Sequence, residues 1–452
     1  MAETSGENGL GAEPSGGPSG PAAPAGLSGA QTPAERATTP TTTPATERLV
    51  SLDFIRGIAV LGILFANITA FAHPMAAYFW PPALAHVPTA GDDAMWVVQL
   101  VLVDHKFRGL FTLLFGAGLY LFMERASARG ASRWLQVRRL LWLLVFGLIH
   151  FFFIWRGDIL TMYALWGIIM LLCLRWAAKT QLVVGLIMSI LGCFLMMNML
   201  GAQYMLSTNA EIVADAPAEM RDLVNQGPAQ IRAEAIAEAQ LFTHGSYRDI
   251  VADTIKQKAG TVIPEAIFFG IVETFGFMLL GAAFYRYGFF SGALDPAKMR
   301  RWGWVGVISG AGVTIPIALW PQSQGFPYAA TMLSFEGLVM LPRLAMVVGL
   351  AALLAQWAPR GSRGRMGQRF VAAGRMAFSN YIGTSIVMAA IFQGWGLGLY
   401  GQFGRLGLLG FVVLGWVLML AWSKPWLAHF RYGPLEWLWR CLTYWKLLAI
   451  RR

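Results

Sequence analysis

From residue 48 onward the chain alternates between long apolar runs and short polar breaks. Ten runs stand out, near 52–72, 106–123, 140–155, 159–174, 181–201, 262–285, 303–320, 337–356, 376–396 and 406–423. A helix needs about 20 predominantly apolar residues to cross a bilayer, and most of these runs approach that length. They are continuous, without the alternation that marks the strands of a membrane barrel. The pattern predicts an all-α, polytopic integral membrane protein with about ten transmembrane helices. One membrane half spans 48–201 and a second spans 262–423. The break between them, 202–261, is the longest and reads as an extracytoplasmic loop.

Composition agrees with a lipid solvent. Of 452 residues, 56% are hydrophobic and 13% charged, with mean hydropathy +0.53. An ordinary soluble domain carries about 25% charged residues. Residues 1–47 are a different material, rich in Gly, Pro, Ala, Ser and Thr. They hold too little apolar surface to order themselves and lack the charged start and apolar core of a signal peptide. They are expected to form a disordered cytoplasmic tail. Cys173, Cys193 and Cys441 make no even set in a polar loop, and no CxxC or HExxH spacing appears. Neither a disulfide framework nor a metal site is expected.

Cations then orient the spans. With the N-terminus inside, the cytoplasmic segments hold 24 of the 35 Lys and Arg residues, among them Arg125–Arg139, Arg286–Arg301 and Arg360–Arg375. That is the positive-inside bias, and it places both termini in the cytoplasm. The +11 net charge follows from this topology and gives no reason to expect nucleic acid. In the tail, 424–452, Leu435, Leu438, Trp439, Leu442 and Trp445 recur at helical spacing. Pro434 suits the first turn, so the tail reads as an amphipathic helix lying along the inner surface.

Polar residues inside the runs are the candidates for chemistry, because an ionisable group at membrane depth is costly and normally pairs or lines a polar cavity. In "LIHFFFIWRGDILTMYALWG", residues 148–167, two apolar arms flank a turn holding Arg156 and Asp158. His150 lies six residues before Arg156, about 9 Å below the turn at 1.5 Å per residue, and Tyr163 descends as far on the other arm. The two rings are expected to face each other, with Arg156 and Asp158 as a solvated cap. Asn67 and His73 close the first run. Asp104, His105, Lys106 and Arg108 open the second, and Asp104 and Arg108 are four apart, hence neighbours on one helix face. Gly109, Gly116 and Gly118 form a small-residue surface for close helix packing. Glu273 sits mid-span, and Arg343 is expected to pair with it or with Glu336. At the inner end Asp53 and Arg56 can pair. With Arg375, Asn380 and the arginine-rich loops they can line a mouth for an anionic, phosphate-bearing donor.

Several blocks together carry a resemblance. They are "SLDFIRGIAVLGILFANI" (51–68), "KFRGLFTLLFGAGLYLF" (106–122), "GLIHFFFIWRGDILTMYAL" (147–165), "GRMAFSNYIGTSIV" (374–387) with "IFQGWGLGLYG" (391–401), and "FRYGPLEWLWRCLTY" (430–444). In this order they resemble the YeiB-like family of bacterial inner-membrane proteins, whose C-terminal half is a numbered domain of unknown function. That resemblance implies a multi-pass protein of the bacterial inner membrane. The first block is also distantly similar to the opening helix of transmembrane acyltransferases of the heparan-glucosaminide acetyltransferase type. There an acyl group passes from cytosolic acyl-CoA to an acceptor on the far side, and a histidine just beyond the first helix is implicated. His73 matches it by position, with a shorter spacing from "IRG"; His150 qualifies by depth.

Acyl transfer needs a base for the acceptor proton and donors for the oxyanion. The resemblance therefore implies His73 or His150 as base, oriented by Asp104 or Asp158. Asn67, Lys106 or Tyr163 would face the oxyanion. Asp53, Arg56, Arg108, Glu273, Arg343 and Asn380 would bind substrates: acyl-CoA as donor, and an envelope glycan or small metabolite as acceptor. No GxSxG serine motif appears. The rival reading is a secondary transporter or exporter of a small solute, in which Glu273, Arg343 and His150 relay protons or ions. No internal repeat of the kind many transporters show is visible.

Overall fold

The computed structural model describes residues 50–130, 132–209, 211 and 217–452. The tail expected to be disordered, 1–47, lies outside the described residues. Among those described, the chain is helical throughout and forms no strand beyond one isolated bridge between Phe430 and Arg451.

In chain order, α1 is Val50–Ala72, α2 the short Met75–Phe79 and α3 Ala90–Leu102. Next come α4 Lys106–Ser127, α5 Trp134–Phe153, α6 Leu160–Cys173 and α7 Ala178–Thr208. The former loop region holds α8 Ala218–His244 and α9 Tyr247–Lys258. The sixth run folds as α10 Val262–Phe269, a π-helical turn Gly270–Thr274, and α11 Phe275–Arg286. The second half continues with α12 Pro296–Ser323, α13 Tyr328–Met332, a π-helical turn Leu333–Leu338, and α14 Met340–Gly361. It ends with α15 Arg365–Arg375, α16 Ala377–Phe392, α17 Arg405–His429 and α18 Pro434–Tyr444.

Among the described residues eight helical stretches are long and apolar enough to cross a membrane, and the shorter apolar helices α6 and α16 stand at the two remaining runs. The protein is a polytopic, all-helical membrane protein. Its outer surface is apolar where a soluble protein's would be polar: Ile187, Ile190, Leu191 and Phe194 on α7 and Trp302, Val305 and Ile308 on α12 are all exposed. Such a surface faces lipid tails.

Small residues set how closely the spans approach. A Cβ at Gly116 would sit 2.0 Å from the Met278 carbonyl oxygen, and one at Gly281 would sit 1.8 Å from that of Leu113. The α4–α11 seam is therefore backbone against backbone, as expected where no hydrophobic effect drives helices together. Gly57 and Gly374 do the same for α1 and α15.

Three expectations need correction. Where it is described, the stretch 202–261 is mostly helix: α7 runs on to Thr208, and α8 and α9 are helices, α9 opened by a Ser246–Asp249 capping box. The polar composition that suggested a loop is that of solvated helices bearing Glu, Gln and Arg. The short helix α3, capped by Thr89 and Asp92, precedes the second span and buries Trp96 and Gln99. Finally, Asp104 and Arg108 do not share a helix face. His105 adopts φ +63°, which ends one helix and starts the next between them.

The molecule has two ends, about 30 Å apart along α1. Trp155 donates to the Ala70 carbonyl at one, here the hairpin end. Gly374 abuts the Asp53 carbonyl at the other, the arginine end. The amphipathic α18 lies at the arginine end. Its Glu436 accepts from the backbone N–H groups of Phe378 and Ser379, capping α16, and Trp439 donates to the Arg139 carbonyl.

Candidate functional site: two cavities on one hairpin

Two cavities meet at the α5–α6 hairpin. The larger, about 860 Å³, lies at the hairpin end. The smaller, about 230 Å³, lies at the arginine end. Helix α1 lines both: Ile63, Asn67 and Ala70 face the larger, Asp53 and Arg56 the smaller. From Arg56 to Ile63 is about 10 Å of helix, so along α1 the two linings stand about that far apart. Ile159 borders both cavities, and Tyr163 and Tyr381 close the smaller one from above.

The hairpin turn is not a solvated cap. The Arg156 guanidinium holds Asp253 at 2.7 Å and the Thr254 hydroxyl at 2.9 Å, fastening α9 over the larger cavity. Helix α8 completes that roof. Its Glu238 accepts from the Met75 backbone N–H, and burial raises its carboxyl above the ordinary range.

His150 Nδ1 lies 2.9 Å from Asp158 Oδ1, with both side chains fully buried. The second Asp158 oxygen accepts from the Thr161 backbone N–H at 2.7 Å, capping α6. A carboxylate on Nδ1 fixes the tautomer: Nδ1 carries the hydrogen and Nε2 keeps its lone pair. That Nε2 is buried with no hydrogen-bond partner. His150 itself borders neither cavity; Asp158 borders the larger. The expected meeting of His150 with Tyr163 does not occur. His150 packs beside Tyr381, and the Tyr163 hydroxyl bonds Thr112 at 2.6 Å.

The floor of the larger cavity is a charged cluster. Arg108 Nη2 is 2.5 Å from Glu273 Oε2 and 2.9 Å from His105 Nδ1. Arg343 Nη1 is 2.8 Å from Glu273 Oε1, the ion pair anticipated for it. Because Arg108 donates to Nδ1 of His105, the hydrogen of that neutral ring is on Nε2, which is buried without a partner. Three backbone irregularities converge here: left-handed His105, the π turn bearing Glu273 and the π turn bearing Glu336. Such features cost energy and gather at functional sites. His105, Glu273 and Glu336 bring ligand-type atoms within 4.8 Å of one another. Two guanidinium groups already neutralise Glu273, so the protein's own cations fill this position and we assign no metal to it.

The remaining candidates fall into three groups. Asn67 and Arg108 face the larger cavity, as do Thr161, which was not singled out from sequence, and His105, which was given no role there. Asp53, Arg56 and Tyr163 face the smaller cavity, with Asp53 and Arg56 paired at 2.9 Å. His73, Asp104, Lys106, Glu273, Arg343 and Asn380 face neither. His73 is fully buried, its Nε2 donating to the Phe403 carbonyl and its Nδ1 accepting from the Ala85 N–H. Burial lowers it to about 4, which keeps it neutral. Lys106 donates to the Leu100 carbonyl, and Asn380 is held by Ala373, Trp422 and Ser423. Both Asp104 oxygens are buried without a hydrogen bond. The signal for His105 was present in "VLVDHKFRG", where four charged or titratable residues interrupt an apolar run. The roof left no such signal.

Comparison with known proteins places this site in context. Residues 284–446 match a family model described as "Protein of unknown function (DUF418)". The chain is 34% identical over 404 residues to "Uncharacterized protein YeiB" of Escherichia coli (strain K12), covering 88% of this chain and 96% of that one. It is 32% identical over 423 residues to "Uncharacterized protein YxaH" of Bacillus subtilis (strain 168), covering 89% and 96%. A third relative, "Uncharacterized 39.9 kDa protein in amylase 3'region" of Bacillus acidopullulyticus, is 29% identical over 405 residues, covering 88% and 94%. No solved structure matches the chain.

Proposed function

The chain belongs to the YeiB family, which carries the DUF418 domain, and from that premise we propose that it is a transmembrane acyltransferase. The acyl group comes from cytosolic acyl-CoA, which enters the smaller cavity from the arginine end. The acceptor, an envelope glycan or small metabolite, occupies the larger cavity on the extracytoplasmic side. One observation supports this reading: two cavities approach from opposite ends, about 10 Å apart along α1 and sharing Ile159, and Asp158 of the His150–Asp158 pair lines the larger beside that residue. A thioester carbonyl at such a wall is reachable from both sides without the donor crossing the membrane.

The chemistry follows from the residues. Arg56, Arg375 and Arg440 edge the smaller cavity and suit phosphates, while Phe111 and Phe115 suit an acyl arm. An acceptor hydroxyl or amine attacks the thioester carbonyl, its proton passes to His150 Nε2, and the CoA thiolate leaves and takes that proton. Asp158 positions the ring and stabilises its cation. Asn67 and the Nε2–H of His105 serve as donors at the acceptor side. His150 reaches the reacting atoms when the wall at Ile159 yields to the donor.

Transport of a solute is the second reading, and the interrupted helices at Glu273 and Glu336 favour it, since broken spans line binding sites in many transporters. Purified protein in liposomes, given radiolabelled acetyl-CoA and an envelope extract, is expected to label the extract. Liposomes that label nothing but accumulate a solute would overturn the acyl reading.

A further inference from the structure

Glu336 has no use in acyl transfer and no partner among the described residues. It lies in the π turn Leu333–Leu338, which shifts its side chain out of the ordinary helical register. Its neighbour Phe335 is fully buried and packs edge-on against His105 at 4.8 Å. That contact holds Glu336 over the cluster. Ligand-type atoms of Glu336, Glu273 and His105 lie within 4.8 Å of one another. Both guanidinium groups of the cluster are drawn to Glu273: Arg343 at 2.8 Å and Arg108 at 2.5 Å. No hydrogen bond or ion pair closes on Glu336 among the described residues.

The surroundings are known from every side. Glu273, Arg108, Arg343 and Asp104 are the charged groups that act on Glu336, and Tyr78 and Cys193 lie at the same cluster. Helices α7 and α12, which also pack against the π turn, carry basic residues only near their starts, at Lys179 and at Lys298, Arg300 and Arg301. One glutamate is thus neutralised twice, while the other faces it across a low-dielectric gap. Two carboxylates in that relation do not both ionise.

We propose that Glu336 binds one proton at neutral pH, as the acid half of a carboxyl pair with Glu273, and that this makes the larger cavity a proton-linked ligand site. The link runs through Arg108. Its side chain is 32% exposed, it borders the cavity, and it touches both Glu273 and His105. An anionic ligand that draws Arg108 away strips Glu273 of one cation and raises the demand for the Glu336 proton. A cationic ligand does the opposite. The proposal does not rest on the acyl reading, and its test contains neither donor nor acceptor.

The test is infrared spectroscopy of the full chain in lipid nanodiscs, reading the carbonyl stretch of protonated carboxyl groups in H₂O and D₂O. Wild type minus Glu336→Gln is expected to show one such band at neutral pH. Glu265→Gln, which removes an exposed partner of Lys258, should leave that band in place. Glu336→Asp should keep the band at a shifted position, which serves if the glutamine variant does not fold. Arg108→Gln should move the loss of the band to higher pH, because a cation that favours the ionised form has gone. No difference band for Glu336→Gln, or an unshifted one for Glu336→Asp, overturns the proton site. An unmoved titration in Arg108→Gln overturns its link to the cavity.

Discussion

Two buried polar clusters sit near the hairpin end of this molecule, and they are built on opposite plans. Arg405 itself is paired at nearly every group. Its backbone N–H donates to Asp92 at 2.6 Å, and its guanidinium donates to Gln99 at 2.8 Å and the Ala77 carbonyl at 2.5 Å. Only its Nε is left over. Asp92 also caps α3 through Thr89, and His73 nearby has both ring nitrogens committed to backbone. Around the larger cavity the reverse holds. Among the described residues His105 Nε2 and Thr161 Oγ1 are buried and unpartnered, as is His150 Nε2 behind the lining residue Asp158, and no hydrogen bond or ion pair closes on Glu336. An unpaired buried polar group is costly, so a fold keeps several together only where something else completes them. Pairing, and not depth or residue type, separates the latch from the site. His73 by position and His150 by depth were equal candidates from sequence; their hydrogen bonds make one a structural pin and the other a candidate base.

The largest contrast should come from breaking each plan at its centre. Arg405→Ala keeps the backbone bond to Asp92 but leaves the Gln99 side chain and the Ala77 carbonyl without their donor in a closed space, and should cost about 1–3 kcal/mol for each group. Melting in detergent, or failure to accumulate in the membrane, reads it. His150→Gln keeps a donor for Asp158 and should melt close to wild type, yet transfer from acetyl-CoA should fall roughly 10²–10⁴-fold. A variant that transfers normally would remove His150 as the base.

A smaller effect concerns pH. His73 titrates at about 4 when folded against 6.5 for an ordinary histidine, so the unfolded chain binds its proton first as pH falls. Its contribution, about 3 kcal/mol, is whole above pH 6.5 and is lost progressively down to pH 4. His73→Asn should melt lower at neutral pH and lack this decline; parallel pH curves for the two proteins would contradict it. The smallest effect sharpens the comparison most. Thr161→Val removes a hydroxyl that bonds nothing, so stability should change by less than about 0.5 kcal/mol. If that hydroxyl serves the acceptor, the apparent KM for the envelope acceptor should rise roughly 2- to 10-fold.

Much of this was readable along the chain. The ten apolar runs correspond to eight long helices and two short ones because a bilayer demands unbroken apolar length, and length is a property of sequence. The glycine face of α4 was readable too, since only small residues let backbones touch. Arg343 announced its need of a carboxylate by being charged at membrane depth. The roof was not readable: the helices α8 and α9 are polar on most faces, and polarity alone does not separate a solvated helix from a loop.

By itself, then, the sequence determined the solvent, the spans and which residues are too costly to be idle, because each of these is a local sum over side chains. Only the tertiary structure decided which of those residues face a cavity, which are paired and which are left open. A hydrogen bond between Arg405 and Gln99, 306 positions apart, or an empty Nε2 on His150, depends on where distant helices come to rest.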